Sequence, residues 1–216
     1  MNNYTIKTVK KTICTKNEPI MIINMNYPVF EKNGNGKFAE KINKFYQHTA
    51  EKYSSYIARK YPKKAEKIFA SNGQIKLSFL MNCTVSFCSD DIISVFSDLT
   101  YFDGTKKKTA RFSQNWSAVK SALLPPSFLF NINRKSKNHI TEIITEIASS
   151  NMKTNNFSYY SGFDKIIRHK FDFENFYFVP KGTAFFYNAG VLSEADTPSV
   201  FVIPNKKIDG VMKISI

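Results

Sequence analysis

No run of apolar residues here approaches the length of a membrane span. The longest near the start, Ile20-Met21-Ile22-Ile23, falls far short of the ~20 residues a spanning helix needs and of a secretory core. No export signal is read, so the chain is expected to be cytoplasmic if complete, or an ectodomain whose leader or anchor has been removed. Cysteine is scarce: Cys14, Cys83 and Cys88 are an odd number with no Cys-x-x-Cys spacing. If Cys83 and Cys88 share a strand they lie roughly 16 Å apart on opposite faces, which forbids a bridge between them. All three are expected as structural or free thiols. Histidine is scarcer in effect, because His48, His139 and His169 fall in separate elements without i, i+4 pairing, and surface positions are expected for each. No zinc site, other metal or cofactor is expected. The glycine-bearing stretch Asn33 to Lys37 lacks the Gly-Lys-Ser/Thr ending of a phosphate-cradling loop.

Acids are also few. Seventeen Asp and Glu stand against thirty-one Lys and Arg, a formal charge of +14. The excess is uneven: residues 1–70 hold fourteen basic residues against five acids, whereas residues 171–216 hold four against five. Such a field favours anionic partners, whether nucleic acid, acidic polymer or membrane surface, and otherwise keeps a solvated face soluble.

Apolar residues are plentiful at 43%, aromatics reach 15%, and 216 residues suffice to bury a real core. The clearest pattern runs from Gln74 to Asp103. Ile75, Leu77, Phe79, Met81, Cys83, Val85 and Phe87 alternate with mostly polar residues, the mark of a strand with one buried face. After Ser89-Asp90-Asp91, Ile92 to Phe102 is a second strand with Ile93, Val95, Leu99 and Tyr101 on one side. Thr109 to Trp116 completes a meander beyond a basic loop, Gly104 to Lys108. Upstream, Tyr4 to Cys14 reads as a lysine-protected edge strand, and Pro19 to Tyr27 as its partner after the Lys16-Asn17-Glu18 turn. Asn33 to Gly36 reads as a loop.

From Phe38 the period becomes helical, with Phe38, Ile42, Phe45, Thr49, Tyr53 and Ile57 on one stripe. Pro62 ends or kinks this helix, Lys63 to Phe69 adds another turn or two, and Asn72-Gly73 is the stop. Between Lys37 and Lys67 nine basic residues face three acids, interleaved with Tyr46, Tyr53, Tyr56 and Tyr61. That mixture suits stacking on bases or sugars; the plainer reading packs the tyrosines on the sheet and leaves the lysines in water. His139 to Ser149 forms a second helix, Asn151 to Gly162 a loop, and Ile166-Ile167 a short element. Strands are expected at Asn175–Val179, Thr183–Tyr187, Val200–Ile203 and Val211–Ile216. No repeat or linker is apparent. The expected fold is a single α+β domain over 1–216, an antiparallel sheet with two main helices on one face: N-terminal strands in 1–30, helix in 31–73, sheet and second helix in 74–216.

Several short motifs occur in a fixed order: Tyr27-Pro28-Val29-Phe30, Ile42-Asn43, Tyr101-Phe102-Asp103-Gly104, Gln114-Asn115-Trp116, Phe173 to Phe178, Lys181-Gly182, Phe185-Phe186-Tyr187 and Ile203-Pro204. Over roughly Asn24 to Ile208 the chain resembles the domain-of-unknown-function 3298 family, as in the lysozyme-sensing RsiV ectodomain and the domain beside the deacetylase of PdaC. The resemblance implies an α+β domain with a non-catalytic binding or sensing role at the bacterial envelope, hence an extracytoplasmic place. Two loops depart from the family pattern. Lys106, Lys107 and Lys108 replace its Gly-Gly-Ala-His-Gly loop, and Val191 to Pro198, with Glu194 and Asp196, replaces an Ala-Pro-Tyr-rich segment. These residues, with Arg111, are the candidate ligand-binding set, no catalytic residue is assigned, and the ligand is expected to be an anionic envelope polymer or protein. A cationic partner such as lysozyme would meet like charge. Nucleic-acid binding by the first third is an alternative. A cell-wall hydrolase using Asp98 and Asp103 is another, although parity sets those two on opposite faces and turn capping or cross-strand pairing explains them as well. Glu142 and Glu146 read as a solvated helix face. Oligomeric state is left open.

Overall fold

The computed structural model describes residues 3–31, 36–73, 76–154 and 157–214. Strand β1 (Tyr4–Thr15) pairs with β2 (Glu18–Phe30) as an antiparallel hairpin. Its turn takes Lys16 and Asn17 to φ of 47° and 67°, the left-handed pair that matches strand twist in a two-residue connection. Helices α1 (Gly36–Lys60) and α2 (Pro62–Asn72) then carry the chain over to β3 (Leu77–Cys88), which lies parallel to β2. A parallel pair needs such a crossover. Strands β4 (Ile92–Phe102), β5 (Lys107–Ser117) and the two-residue β6 (Ala122–Leu123) complete a six-stranded sheet in sequence order. Short α3 (Pro126–Leu129), α4 (Arg134–Thr154) and α5 (Phe163–Lys170) precede a separate three-stranded antiparallel sheet of β7 (Phe176–Val179), β8 (Gly182–Tyr187) and β9 (Ser199–Ile203). The α+β class holds; the strands divide between two sheets, each backed by one long helix.

The division arises from side-chain parity. Leu77, Phe79, Met81 and Cys83 of β3, Ile93 and Val95 of β4 and Trp116 of β5 bury against Phe38, Ile42, Tyr46 and Ile57 of α1 in one core. Across the opposite face lies β7. There the Phe178 amide donates to Ser94 Oγ at 2.9 Å, Ser113 Oγ donates to the Phe176 carbonyl, and Phe96 packs on Tyr177. The far face of the small sheet buries Phe176, Phe178, Phe185 and Phe201 against Ile140, Ile144 and Ala148 of α4 in a second core.

Four sequence expectations change. The buried stripe of α1 runs through Ile42, Tyr46, Ala50, Ser54 and Ile57, not Phe45, Thr49 and Tyr53, which are half-buried on its flank. Small Ala50 and Ser54 let the helix backbone approach the sheet, and Tyr46 becomes a core residue that accepts a bond from Trp116 Nε1 at 3.2 Å. Second, the β3–β4 register slips between Val85 and Phe87. This bulge turns Phe87 to the second core and brings Cys88 onto the same face as Cys83; both thiols are free. Third, Lys107 and Lys108 belong to β5 rather than to the loop, and residues 151–154 extend α4. Last, Val211 to Lys213 adds no sheet strand. Val211 and Ile208 bury in the second core, and the segment pairs locally with Leu129 to Asn131 through the Asn131 and Lys213 amides. Ile75, Ile216 and the loop residues 33–35 lie outside the described residues.

Candidate functional site

The two divergent loops meet in space. The outward edge of β5 would expose unpaired amides, and the segment after β8 covers it: the Thr109 amide donates to the Asp196 carbonyl at 2.9 Å and the Arg111 amide to Asn188 Oδ1 at 2.5 Å. Lys107 Nζ lies 3.7 Å from Asp196 Oδ2, an exposed pair that contributes little energy. Lys106 and Lys108 project into water without an ion pair among the described residues, and Glu194 is exposed on the neighbouring loop. Of the six candidate residues the structure thus brings Lys107 and Asp196 together; Lys106 and Lys108 flank Lys107 with alternate side-chain directions, and Glu194 lines a different hollow with Phe157, Tyr159 and Tyr160. Asn188, which fixes the loop to the strand, carried no signal in the sequence beyond its position after a strand.

Arg111 has a different role. Its Nε and Nη2 donate to Asp98 Oδ1 and Oδ2, both at 2.7 Å, and Nη1 donates to the Tyr177 hydroxyl at 3.0 Å. The guanidinium also stacks 4.1 Å from the Phe96 ring centre, and the arginine side chain is only 11% exposed. Cross-strand pairing of Asp98 with Arg111 in the β4–β5 register makes this fork possible. The arginine ties the six-stranded sheet to β7 and is not offered to a ligand.

The two carboxylates considered for acid–base work are both engaged. Both Asp98 oxygens carry the arginine fork. Asp103 caps the β4–β5 turn: Oδ1 accepts from the Lys106 amide at 2.9 Å and from Thr105, while Oδ2 accepts from the Tyr101 hydroxyl at 2.7 Å. The Lys106 amide, then the Tyr101 hydroxyl, hold the Asp103 carboxyl well below the usual carboxylate range. A group so held does not exchange protons near neutrality.

A third feature lies on the other side of β5. The flank of α1 that the buried stripe leaves free forms, with β5, an open groove of about 420 Å³. Phe45, Tyr53 and Tyr56 from the helix and Phe112 from the strand supply its apolar wall, and Thr49, Lys52 and Gln114 its polar groups. Tyr53 and Phe112 stack with centroids 5.8 Å apart and planes 26° from parallel.

His48, His139 and His169 are exposed, and His139 Nε2 lies 2.8 Å from the Lys207 carbonyl. Among the described residues no three His, Cys, Asp or Glu side chains gather as metal ligands, and no helix is long and apolar enough to cross a membrane. Burial pushes the Cys83 thiol up to about 11.

No model of a known protein family matches the chain, nor does any curated protein. Solved structures do. A DUF3298 family member from Bacteroides fragilis superposes with a TM-score of 0.67 at 14% identity, covering 98% of this chain and 94% of its own. A DUF3298 family protein from Pseudomonas aeruginosa gives 0.64 at 11% identity, covering 98% and 95%. Identity so low speaks for the fold alone, and that fold, continuous over nearly both chains, is like that of these DUF3298 family structures.

Proposed function

We propose that the chain is a non-catalytic binding or sensing domain, akin to the RsiV and PdaC envelope domains, acting outside the cytoplasm on an anionic envelope ligand. The observation that supports the reading is the junction of two loops far apart in sequence: the exposed lysines 106–108 lie where the segment carrying Asp196 is fixed to β5 by the Thr109–Asp196 and Arg111–Asn188 bonds. A strand edge holds the backbone in place before binding, so a ligand has only the lysine side chains left to order. Lys106 and Lys108 are the cations free to meet an anion, with Lys107 exchanging Asp196 for it. The test is a pull-down from bacterial envelope fractions with the wild type and a Lys106→Ala/Lys107→Ala/Lys108→Ala variant. An anionic wall polymer or acidic protein retained by the first and lost by the second supports the reading. Equal retention, or none, overturns it.

Nucleic-acid binding remains a second reading because the exposed faces of α1 and α2 carry Lys41, Lys44, Lys52, Arg59, Lys63 and Lys67. It requires steep loss of affinity with salt, and filter binding that retains no oligonucleotide at low salt removes it.

A further inference from the structure

We propose that the groove between α1 and β5 is a second binding site, and that it takes an oligosaccharide bearing a carboxylate, of the uronic-acid type. The site is separate from the lysine rim and does not depend on it. Its chemistry is mixed in the way a sugar's is. Tyr53 and Phe112 stack against each other in the lining as an aromatic platform, and Tyr56, 42% exposed, stands beside them with Lys60 Nζ 5.0 Å from its ring centre. Flat aromatic faces match the C–H faces of pyranose rings. Around that platform stand hydrogen-bonding groups with nothing to bond. The Thr49 and Tyr53 hydroxyls and the Lys52 ammonium have no partner among the described residues. Gln114 Oε1 accepts from the Tyr46 hydroxyl at 3.4 Å, which leaves its amide N–H groups unused.

Other occupants fit less well. An apolar peptide side chain or lipid tail would cover these polar groups without bonding them, and each buried unpaired group costs roughly 1–3 kcal/mol. A nucleic acid needs a track of cations for successive phosphates, whereas Lys52 is the only charged residue in the lining. Tyr53 and Phe112 also stack on each other, so no slot is open between them for a base. Lys52, the lining cation without a partner among the described residues, matches a carboxylate on a chain of hydroxylated rings, while Lys60, over Tyr56, already donates to that residue's hydroxyl. The platform exists because Ala50 and Ser54, not Phe45, Thr49 and Tyr53, carry the helix onto the sheet.

Isothermal titration with tetragalacturonate, cellotetraose and an eight-residue oligodeoxythymidylate tests this. Tetragalacturonate is expected to bind with a Kd of roughly 10 μM to 1 mM. Tyr53→Ala and Phe112→Ala should each weaken it at least about tenfold, with circular dichroism confirming that the variants fold. Lys52→Gln, on an exposed position that does not threaten folding, should weaken tetragalacturonate about three- to tenfold and leave any cellotetraose binding unchanged. Because the lysine rim would also attract a polyanion, the titrations are repeated in the triple lysine-to-alanine background at 106–108, where tetragalacturonate should still bind and the groove substitutions should still weaken it; binding lost with the rim lysines alone overturns the groove as the site. No heat from either saccharide at about 5 mM, or binding insensitive to all three groove substitutions, overturns the proposal. Oligodeoxythymidylate binding lost in the same variants would overturn it in favour of nucleic acid.

Discussion

Arg111→Ala should unfold the protein more easily than any substitution at the neighbouring lysines. Removing the guanidinium strands the Asp98 carboxylate, whose side chain is 24% exposed. Breaking a fully buried pair costs roughly 3–5 kcal/mol; partial access to water brings that term to about 2–3 kcal/mol. The lost stacking on Phe96 adds roughly 1 kcal/mol. A total of about 3–4 kcal/mol corresponds to a Tm lowered by roughly 6–15 °C in a chain of this size. Urea unfolding reads it well, because Trp116 is the lone tryptophan and lies buried in the first core. Asp98→Ala leaves a poorly solvated cation and should cost a similar amount. The double variant should lose about 2 kcal/mol less than the two single losses added together. Lys107→Ala, whose partner is exposed, should stay within about 0.5 kcal/mol of wild type. If Arg111→Ala lost under about 1 kcal/mol, or the two aspartate and arginine losses simply added, the tie between the sheets would be wrong and Arg111 would return to the ligand rim.

Other substitutions probe separate parts of the structure. Asp103→Asn should destabilise by about 1 kcal/mol near neutral pH. Because the folded carboxyl is held below its unfolded value of about 3.9, its stabilisation is complete above roughly pH 5 and fades as acid approaches the folded pKa. The gap between wild type and variant in urea midpoints should therefore close towards pH 2, and a constant gap would contradict the capping. Gly182→Ala places a Cβ 2.1 Å from the Ile203 carbonyl oxygen at a φ of +144°, so about 3 kcal/mol or more should be lost; a variant as stable as wild type would refute that close approach. Ellman's reagent should modify one thiol quickly, exposed Cys14, while Cys83, buried and raised to about 11, reacts only on unfolding. Three fast equivalents would contradict the burial. We also expect one cooperative thermal transition, since β7 bonds to β4 and β5 across the two sheets; two resolved calorimetric peaks would make the sheets independent domains.

The strands were legible wherever one face meets a core and the other does not. Leu77 to Cys83 alternates cleanly, and the hairpin with β4 is its consequence. Parity failed at the bulge, because one extra residue at Ser86 carries no compositional mark yet reverses Phe87 and Cys88. The helix was legible but its rotation was not: large apolar residues draw the eye to Phe45 and Tyr53, while close backbone approach through Ala50 and Ser54 decides which side is buried. The second sheet was hidden for a related reason. Phe176 to Phe178 and Gly182 to Tyr187 are buried on both faces, so their sequence shows strands without saying which layer they join. Of the candidate site, exposed lysines and loop acids were readable from composition. Arg111 was not separable from them, because only its cross-strand partner and Tyr177 show that it is spoken for.

The central proposal is that the exposed lysines 106–108 beside Asp196 receive an anionic ligand while Arg111 holds the sheets. Its most direct test is a surface-plasmon titration of lipoteichoic acid, a polyanionic envelope polymer, over immobilised wild type and the triple lysine-to-alanine variant at matched thermal stability. The account predicts binding that weakens with added salt and falls at least about tenfold in the variant. Equal affinity in the two proteins, or no binding to the wild type at low salt, would contradict it.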